Sequence, residues 1–249
     1  MTKLSVNINK IALLRNSRGR NLPDVAAFSD RFLRLGAEGI TLHPRPDQRH
    51  ARYSDVEELQ SVVRRHPGRE LNVEGNPTNE FLTVVQRIRP AQCTLVPDDP
   101  GQLTSDHGWD LAKNESKLRT IVRNLKEAQV RVSLFVDYDA PNLALAHDLG
   151  ADRVELYTEP YAAGFGSPEA GRILADFRAA AGRAQAAGLG VNAGHDLNLA
   201  NLARFLEIPS ILEVSIGHAL IVECLELGIE AVMARYLAIV RKLSYSSPS

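Results

Sequence analysis

Eight short runs rich in β-branched and apolar residues recur along this chain, and between them lie stretches with the periodicity of helices. The runs are Leu4 to Ile8, Gly39 to Leu42, Leu71 to Val73, Gln92 to Val96, Val132 to Val136, Val154 to Tyr157, Gly190 to Ala193 and Leu212 to Ile216. Helices are expected over Asp24 to Leu35, Asp55 to Arg65, Asn79 to Arg89, Asn114 to Ala128, Ala140 to Leu149, Ser167 to Ala187, Leu197 to Leu206 and Ala219 to Lys242. Their apolar positions recur at three and four, as in Leu118, Ile121, Val122 and Leu125. A strand that returns through a helix pairs in parallel with the one before it. Eight such units in 249 residues match a single (β/α)8 TIM barrel spanning residues 1–249, with a doubly wound open sheet as the alternative.

Local signals agree with this reading. Ser54 followed by Glu57, Thr78 before Phe81, and Ser167 before Pro168 read as helix starts. Leu35-Gly36-Ala37-Glu38-Gly39-Ile40-Thr41-Leu42 is echoed by Leu149-Gly150-Ala151-Asp152-Arg153-Val154-Glu155-Leu156, each a helix ending at glycine with a strand after it. No linker or composition break divides the chain, and the Ser-rich tail 244–249 is the one biased segment.

A formal net charge of −1 suggests no nucleic-acid or membrane partner. Cys93 and Cys224 lie far apart, against both a disulfide framework and a zinc site, and read as buried thiols. No apolar run reaches signal-peptide or membrane-spanning length, so the expected location is the cytoplasm.

A barrel places its chemistry at the carboxyl ends of its strands. There this sequence carries Asn7, Asn9, Lys10 and Arg18 after strand one, His43, Arg45 and His50 after strand two, and Glu74 after strand three. Glu155 lies within strand six, His195 and Asp196 end strand seven, and Gly217 and His218 end strand eight. The stretch His43 to His50 holds two histidines and two further arginines, Arg45 and Arg49, and suits a phosphate, though a solvated basic loop has the same composition. Glu155 alternates with Val154 and Leu156 and so points the other way, into the barrel, where a carboxylate needs a partner. Glu74 reads as either a site residue or a solvent-facing strand end. Histidines with carboxylates at one mouth would form a general acid/base site. The glycines at 194 and 217 would let a ligand approach the backbone, and the loops after strands seven and eight are the usual barrel phosphate site.

The neighbouring Arg and Lys oppose a bound cation, and no His-x-His spacing, Gly-x-Gly-x-x-Gly or phosphate-loop motif is present, so the residues argue against a metal and give no support for a nucleotide cofactor. The polar, turn-rich stretch 97–108 reads as a lid or as an ordinary exposed loop.

Val6 to Gly19, Thr41 to Arg45 with Arg49-His50, Leu71-Asn72-Val73-Glu74, Val191-Asn192-Ala193-Gly194-His195 and Ile216-Gly217-His218-Ala219 together resemble the pyridoxine 5'-phosphate synthase family, in family order and over nearly the whole chain. The resemblance implies a (β/α)8 barrel and a condensing transferase of vitamin B6 biosynthesis. The implied reaction joins 1-deoxy-D-xylulose 5-phosphate to 3-amino-2-oxopropyl phosphate, giving pyridoxine 5'-phosphate, inorganic phosphate and water. It also implies roles. His43, Glu74 and His195 would transfer protons, with Glu74 as base and His195 as donor. Glu155 would stabilise a cationic transition state. Asn7, Arg18, Arg45, His50 and Thr104 would hold the substrates, with Gly217 and His218 placed for a phosphate. Small phosphorylated substrates and a homo-octamer are implied, without cofactor or metal.

Two departures stand out: Asn9-Lys10 replaces the usual Asp-His pair, and Asp196 the usual glycine. Both bear on substrate binding, in which Asn9, Lys10 and Asp196 are expected to share. A sugar-phosphate isomerase or aldolase, and a non-catalytic phosphometabolite-binding barrel, are the alternative functions.

Overall fold

The computed structural model describes residues 1–98, 101–102 and 104–242. The tail 244–249 lies outside the described residues, as do Asp99, Pro100 and Leu103 of the expected lid.

Eight parallel strands form a closed barrel in sequence order. They are β1 (Lys3–Asn7), β2 (Gly39–Leu42), β3 (Glu70–Gly75), β4 (Gln92–Leu95), β5 (Arg131–Val136), β6 (Arg153–Tyr157), β7 (Gly190–Gly194) and β8 (Ile211–Ile216). All eight expected strands are present, within about two residues at each end. β1 pairs with both β2 and β8, which closes the ring and rules out the open sheet.

The helices follow the expected plan with physical exceptions. α1 (Asn9–Asn16) was not foreseen, because its apolar residues lie on both sides: Ile11 and Ala12 are buried while Leu13 and Leu14 are exposed, so no one-sided stripe marks it. α2 (Val25–Arg34), α3 (Tyr53–Arg64), α4 (Asn79–Ile88), α5 (Glu115–Glu127) and α8 (Ala170–Ala186) match expected spans. Two others shrink to single turns, α6 (Leu145–Asp148) and α9 (Leu202–Phe205), and α7 (Glu159–Gly164) is an addition. The long C-terminal helix is two, α10 (His218–Leu227) and α11 (Ile229–Lys242), divided at Gly228.

The caps are sharper than expected. Thr78 accepts the Phe81 N–H at 3.3 Å, as foreseen. At α3 the cap is Asp55, not Ser54 with Glu57: its carboxylate accepts the Arg52 N–H at 2.8 Å. Ser167 accepts the Glu169 N–H at 3.2 Å just ahead of α8.

Each face of the barrel wall has its own chemistry. Leu4, Val6, Ile40, Leu42, Leu71 and Val73 point outward and are buried under the helices. The inward set is polar: Lys3, Ser5 and Asn7 on β1, Glu70, Asn72 and Glu74 on β3, Gln92 and Thr94 on β4, Glu155 on β6, and Glu213 and Ser215 on β8. Bonds across the bore between strands that are not neighbours establish this orientation. Gln92 donates to Glu213 at 3.2 Å, Asn192 to Gln92 at 3.3 Å and Thr94 to Glu155 at 3.3 Å. Most barrels fill this space with Val, Ile and Leu. Buried polar groups need partners, and in the lower bore Lys3 pairs with Glu70 at 2.6 Å, Glu70 also accepts from Arg131, and Arg131 donates to Gln92 at 3.0 Å.

Candidate active site

The carboxyl end of the barrel opens into a cavity of about 440 Å³. Asn7, Asn9, Lys10, His43, Arg45, His50, Glu74, Thr104, Glu155, His195, Asp196, Gly217 and His218 all line it, so the structure brings together every expected site residue but one. Arg18 is exposed beyond the end of α1 and is not among the lining residues. The helical turn directs its neighbour Arg15 inward in its place, to a buried ion pair with Asp55. Leu13, Arg49, Ser105 and Ser215 also line the cavity.

The strands deliver the deep groups. Glu74 on β3 and Glu155 on β6 are 4% and 1% exposed, at the bottom of the cavity. Asn7 donates to Glu74 at 3.4 Å, and Thr94 steadies Glu155. Gly194 on β7 leaves room for Glu155, since a Cβ at that position would stand 2.4 Å from Glu155 Oε1 and force that carboxylate to shift. Directly after it, His195 and Asp196 both take positive φ, 84° and 58°, a backbone that non-glycine residues adopt at a cost. The surroundings hold it: Thr158 donates its hydroxyl toward the carbonyls of Gly194 and His195, and Asn201 donates to the Asp196 carbonyl at 3.1 Å. The His195 ring packs between Phe135 and Tyr157, with centroid distances of 5.0 and 5.3 Å.

The loops deliver the rim. Asn9 accepts the His43 N–H at 2.9 Å, which gives it a positioning task in the site. Arg45 forms an ion pair with Asp98, whose same oxygen accepts from Ser105 at 2.7 Å and lies 4.0 Å from His43 Nε2. Asp98 was not singled out from the sequence, although its place three residues beyond β4 is a strand-end signal of the same kind. Arg45 and Arg49 both donate to the Gln102 carbonyl, so the loop after β4 is held to the basic loop after β2. Lys10, Asp196 and His218 are exposed at the mouth. His218 opens α10, whose N-terminus carries partial positive charge.

Burial sets the charges. Desolvation, reinforced by the carboxylates of Asp98 and Glu213, raises the Glu74 pKa to about 8. Desolvation with Glu74 and Glu213 raises Glu155 well above its ordinary value. Desolvation, with the Arg45 guanidinium and the His50 ring close by, pushes His43 well below its usual range, and desolvation lowers His195. Desolvation with Arg45 and Arg49 lowers His50 to about 4. At pH 7 Glu74 therefore keeps its proton beside imidazoles lowered below their usual range, under a rim of Arg and Lys side chains. Proton donors and acceptors of this kind around one cavity are what acid/base chemistry requires. Among the described residues no three His, Cys, Asp or Glu side chains are arranged to hold a metal ion.

The family model described as "Pyridoxal phosphate biosynthesis protein PdxJ" matches residues 4–242. The chain belongs to the PdxJ family. Among its relatives is the pyridoxine 5'-phosphate synthase of Xanthomonas axonopodis pv. citri, 52% identical over 248 residues, covering 96% of this chain and 97% of that one. The pyridoxine 5'-phosphate synthase of Albidiferax ferrireducens is 49% identical over 242 residues, covering 95% and 96%. Two solved structures of low sequence identity share the barrel fold. A Mycobacterium tuberculosis tryptophan synthase aligns with a TM-score of 0.65 at 13% identity, covering 96% of this chain and 93% of that one. A 3-hexulose-6-phosphate synthase aligns with a TM-score of 0.62 at 14% identity, covering 96% and 99%. Asn9, Lys10 and Asp196, expected to share in substrate binding, thus sit in the cavity of a PdxJ-family barrel. Asp is among the few non-glycine residues that tolerate positive φ, which suits the backbone at 196.

Proposed function

We propose that this single barrel domain is a cofactor-independent pyridoxine 5'-phosphate synthase, which condenses 1-deoxy-D-xylulose 5-phosphate with 3-amino-2-oxopropyl phosphate and closes the pyridine ring. Imine formation, enolisation, loss of phosphate and dehydration are successive proton transfers on a polyanionic framework, and the cavity is built for both demands. One observation carries the reading: Glu74, Glu155, His43 and His195 line a single cavity beneath the cationic side chains of Lys10, Arg45 and Arg49.

The resting charges assign first roles. Glu74 enters with its proton and acts first as an acid, and neutral His43 and His195 act first as bases. This is the converse of the assignment implied by resemblance, in which Glu74 is the base and His195 the donor. Once the proton has moved, each group returns it in a later step, so both assignments apply at different stages of one cycle. Glu155, buried at the bottom of the cavity, supports developing positive charge when it ionises. Arg45, Arg49, His50, Thr104 and the start of α10 at Gly217 and His218 hold phosphates. Asn7 orients Glu74, and Lys10 supplies a cation at the mouth. Arg18 would engage a substrate only by moving from its exposed position. A cytoplasmic location suits a pathway of this kind. The exposed Leu13 and Leu14 of α1, with Leu225 and Leu227 of the adjoining α10, suit a homo-oligomer, an octamer by resemblance.

The test mixes metal-stripped protein with both substrates and follows phosphate release together with absorbance of the pyridine ring. Both signals are expected to rise in step. Turnover of one phosphorylated substrate alone would favour an isomerase or aldolase, and binding of pyridoxine phosphate without synthesis would favour a non-catalytic barrel.

A further inference from the structure

The last residues of α1 grip the basic loop by its backbone. Asn16 Nδ2 donates to the carbonyls of Gln48, Arg49 and His50 at 3.1, 3.0 and 2.8 Å. Its Oδ1 accepts from Arg52 Nη2 at 2.7 Å and from Arg15 Nε at 3.1 Å. Arg15 is 2% exposed and forms both arms of a fork to Asp55, at 2.6 and 2.9 Å, while its Nη2 also donates to the His50 carbonyl at 3.1 Å. Asp55 in turn caps α3 through the Arg52 N–H. A buried charge pair of this kind is stable only when both partners and their remaining hydrogen bonds are satisfied, and here they are.

The ring of His50 shows what the grip accomplishes. Its Nδ1 accepts the Ala51 N–H at 2.9 Å, so the neutral ring carries its proton on Nε2. A fixed loop backbone therefore presents His50 to the cavity as a hydrogen-bond donor of one defined tautomer, next to Arg49. Without it, ordering both side chains would draw on binding free energy.

We propose that Asn16, backed by the Arg15–Asp55 ion pair, is a positioning residue for substrate phosphate, acting on the ligand only through the backbone of residues 48–50. The inference rests on the reading of this cavity as a phosphate-substrate site, but does not require that the two substrates be condensed. Arg15 and Asn16 are absent from the cavity lining.

The test is a double-mutant cycle between Asn16→Asp and His50→Ala. Asn16→Asp keeps the size of the side chain and the acceptor for Arg52, but turns an oxygen toward three carbonyls. In the otherwise native enzyme it should raise KM for one of the two phosphorylated substrates by at least about tenfold while kcat at saturation stays within about twofold. In the His50→Ala background the same change should add little further loss, because both substitutions act on one element. Arg52→Gln, which removes only the outer arm of the clamp, should move the same KM in the same direction by less. Hydrogen exchange at amides 49–51 should quicken in Asn16→Asp while exchange in the barrel strands stays unchanged. Unchanged KM values would overturn the proposal, and so would equal losses in both His50 backgrounds. If the native protein does not condense the two substrates, the same cycle is read as affinity for inorganic phosphate. Coupling there sustains the positioning role while the synthase reading fails, and its absence overturns the role.

Discussion

Glu74 couples the stability of this protein to pH. Its folded-state pKa is about 8, against an ordinary value near 4.3. The unfolded chain releases this proton above about pH 4.5 while the folded chain keeps it, so the contribution of Glu74 to stability is full in acid and is lost as pH rises toward 8. The histidines work the other way. His43, His50 and His195 are lowered, so their contribution is present above about pH 6.5 and is lost as the pH falls and the unfolded chain takes up protons. Glu74→Gln should therefore cost at least about a hundredfold in kcat with binding of phosphorylated ligands nearly intact. Its Tm, compared with that of the native protein, should also gain steadily between pH 5 and pH 8. A pH-independent Tm difference would show that Glu74 ionises as an ordinary carboxyl. Gly194→Ala tests the close approach to Glu155. A Cβ 2.4 Å from Oε1 must displace that carboxylate, so turnover should collapse, and overpacking should lower stability by about 1–3 kcal/mol in a denaturant titration. Strand-end position made Glu74, His43 and His195 legible in the sequence. Their charge states were not, because desolvation depends on what the fold packs around them.

The repeated helix-glycine-strand unit shows how an element can be legible while its purpose is hidden. In both copies the glycine takes positive φ, 110° at Gly36 and 91° at Gly150, as a helix end of this type requires. The acidic residue two places on does what the repeat alone did not reveal. Glu38 accepts the N–H of Leu4 at 3.0 Å and Asp152 that of Val132 at 2.8 Å, so each carboxylate closes the first open amide of the preceding strand. Asp152→Ala should cost about 1–2 kcal/mol by leaving that amide unsatisfied. Lys126→Ala, which removes only the exposed charge partner of Asp152, should cost under about 1 kcal/mol. Similar midpoints for the two variants would show that the strand-capping bond is dispensable. The helices that sequence reading missed or overextended share a cause. α1 is apolar on two sides, and α6 and α9 carry apolar residues that pack in turns as well as in helices.

For the molecule as a whole, the exposed apolar side of α1 is the surface that the proposed homo-oligomer would cover. Leu14 and Leu225 are 54% and 78% exposed on neighbouring helices. The double substitution Leu14→Lys with Leu225→Lys should shift the sedimentation profile toward smaller species while the fold is retained; an unchanged assembly would place the contact elsewhere. The closed barrel was legible because its outward positions obey a simple rule: Leu4, Val6, Leu71 and Val73 must leave water, and eight such strands with helices between them have few ways to do so. The expected motifs likewise converged on one mouth, since parallel strands put all their carboxyl ends together. Sequence by itself therefore determined the barrel, the face that bears the chemistry and most of the residues on it. Only the tertiary structure decided which polar side chains meet across the bore, that Asp98 holds Arg45, that Arg15 and not Arg18 turns inward, and which groups hold protons. Those outcomes depend on distances between residues remote in the chain and on the water excluded around them, and local spacing encodes neither.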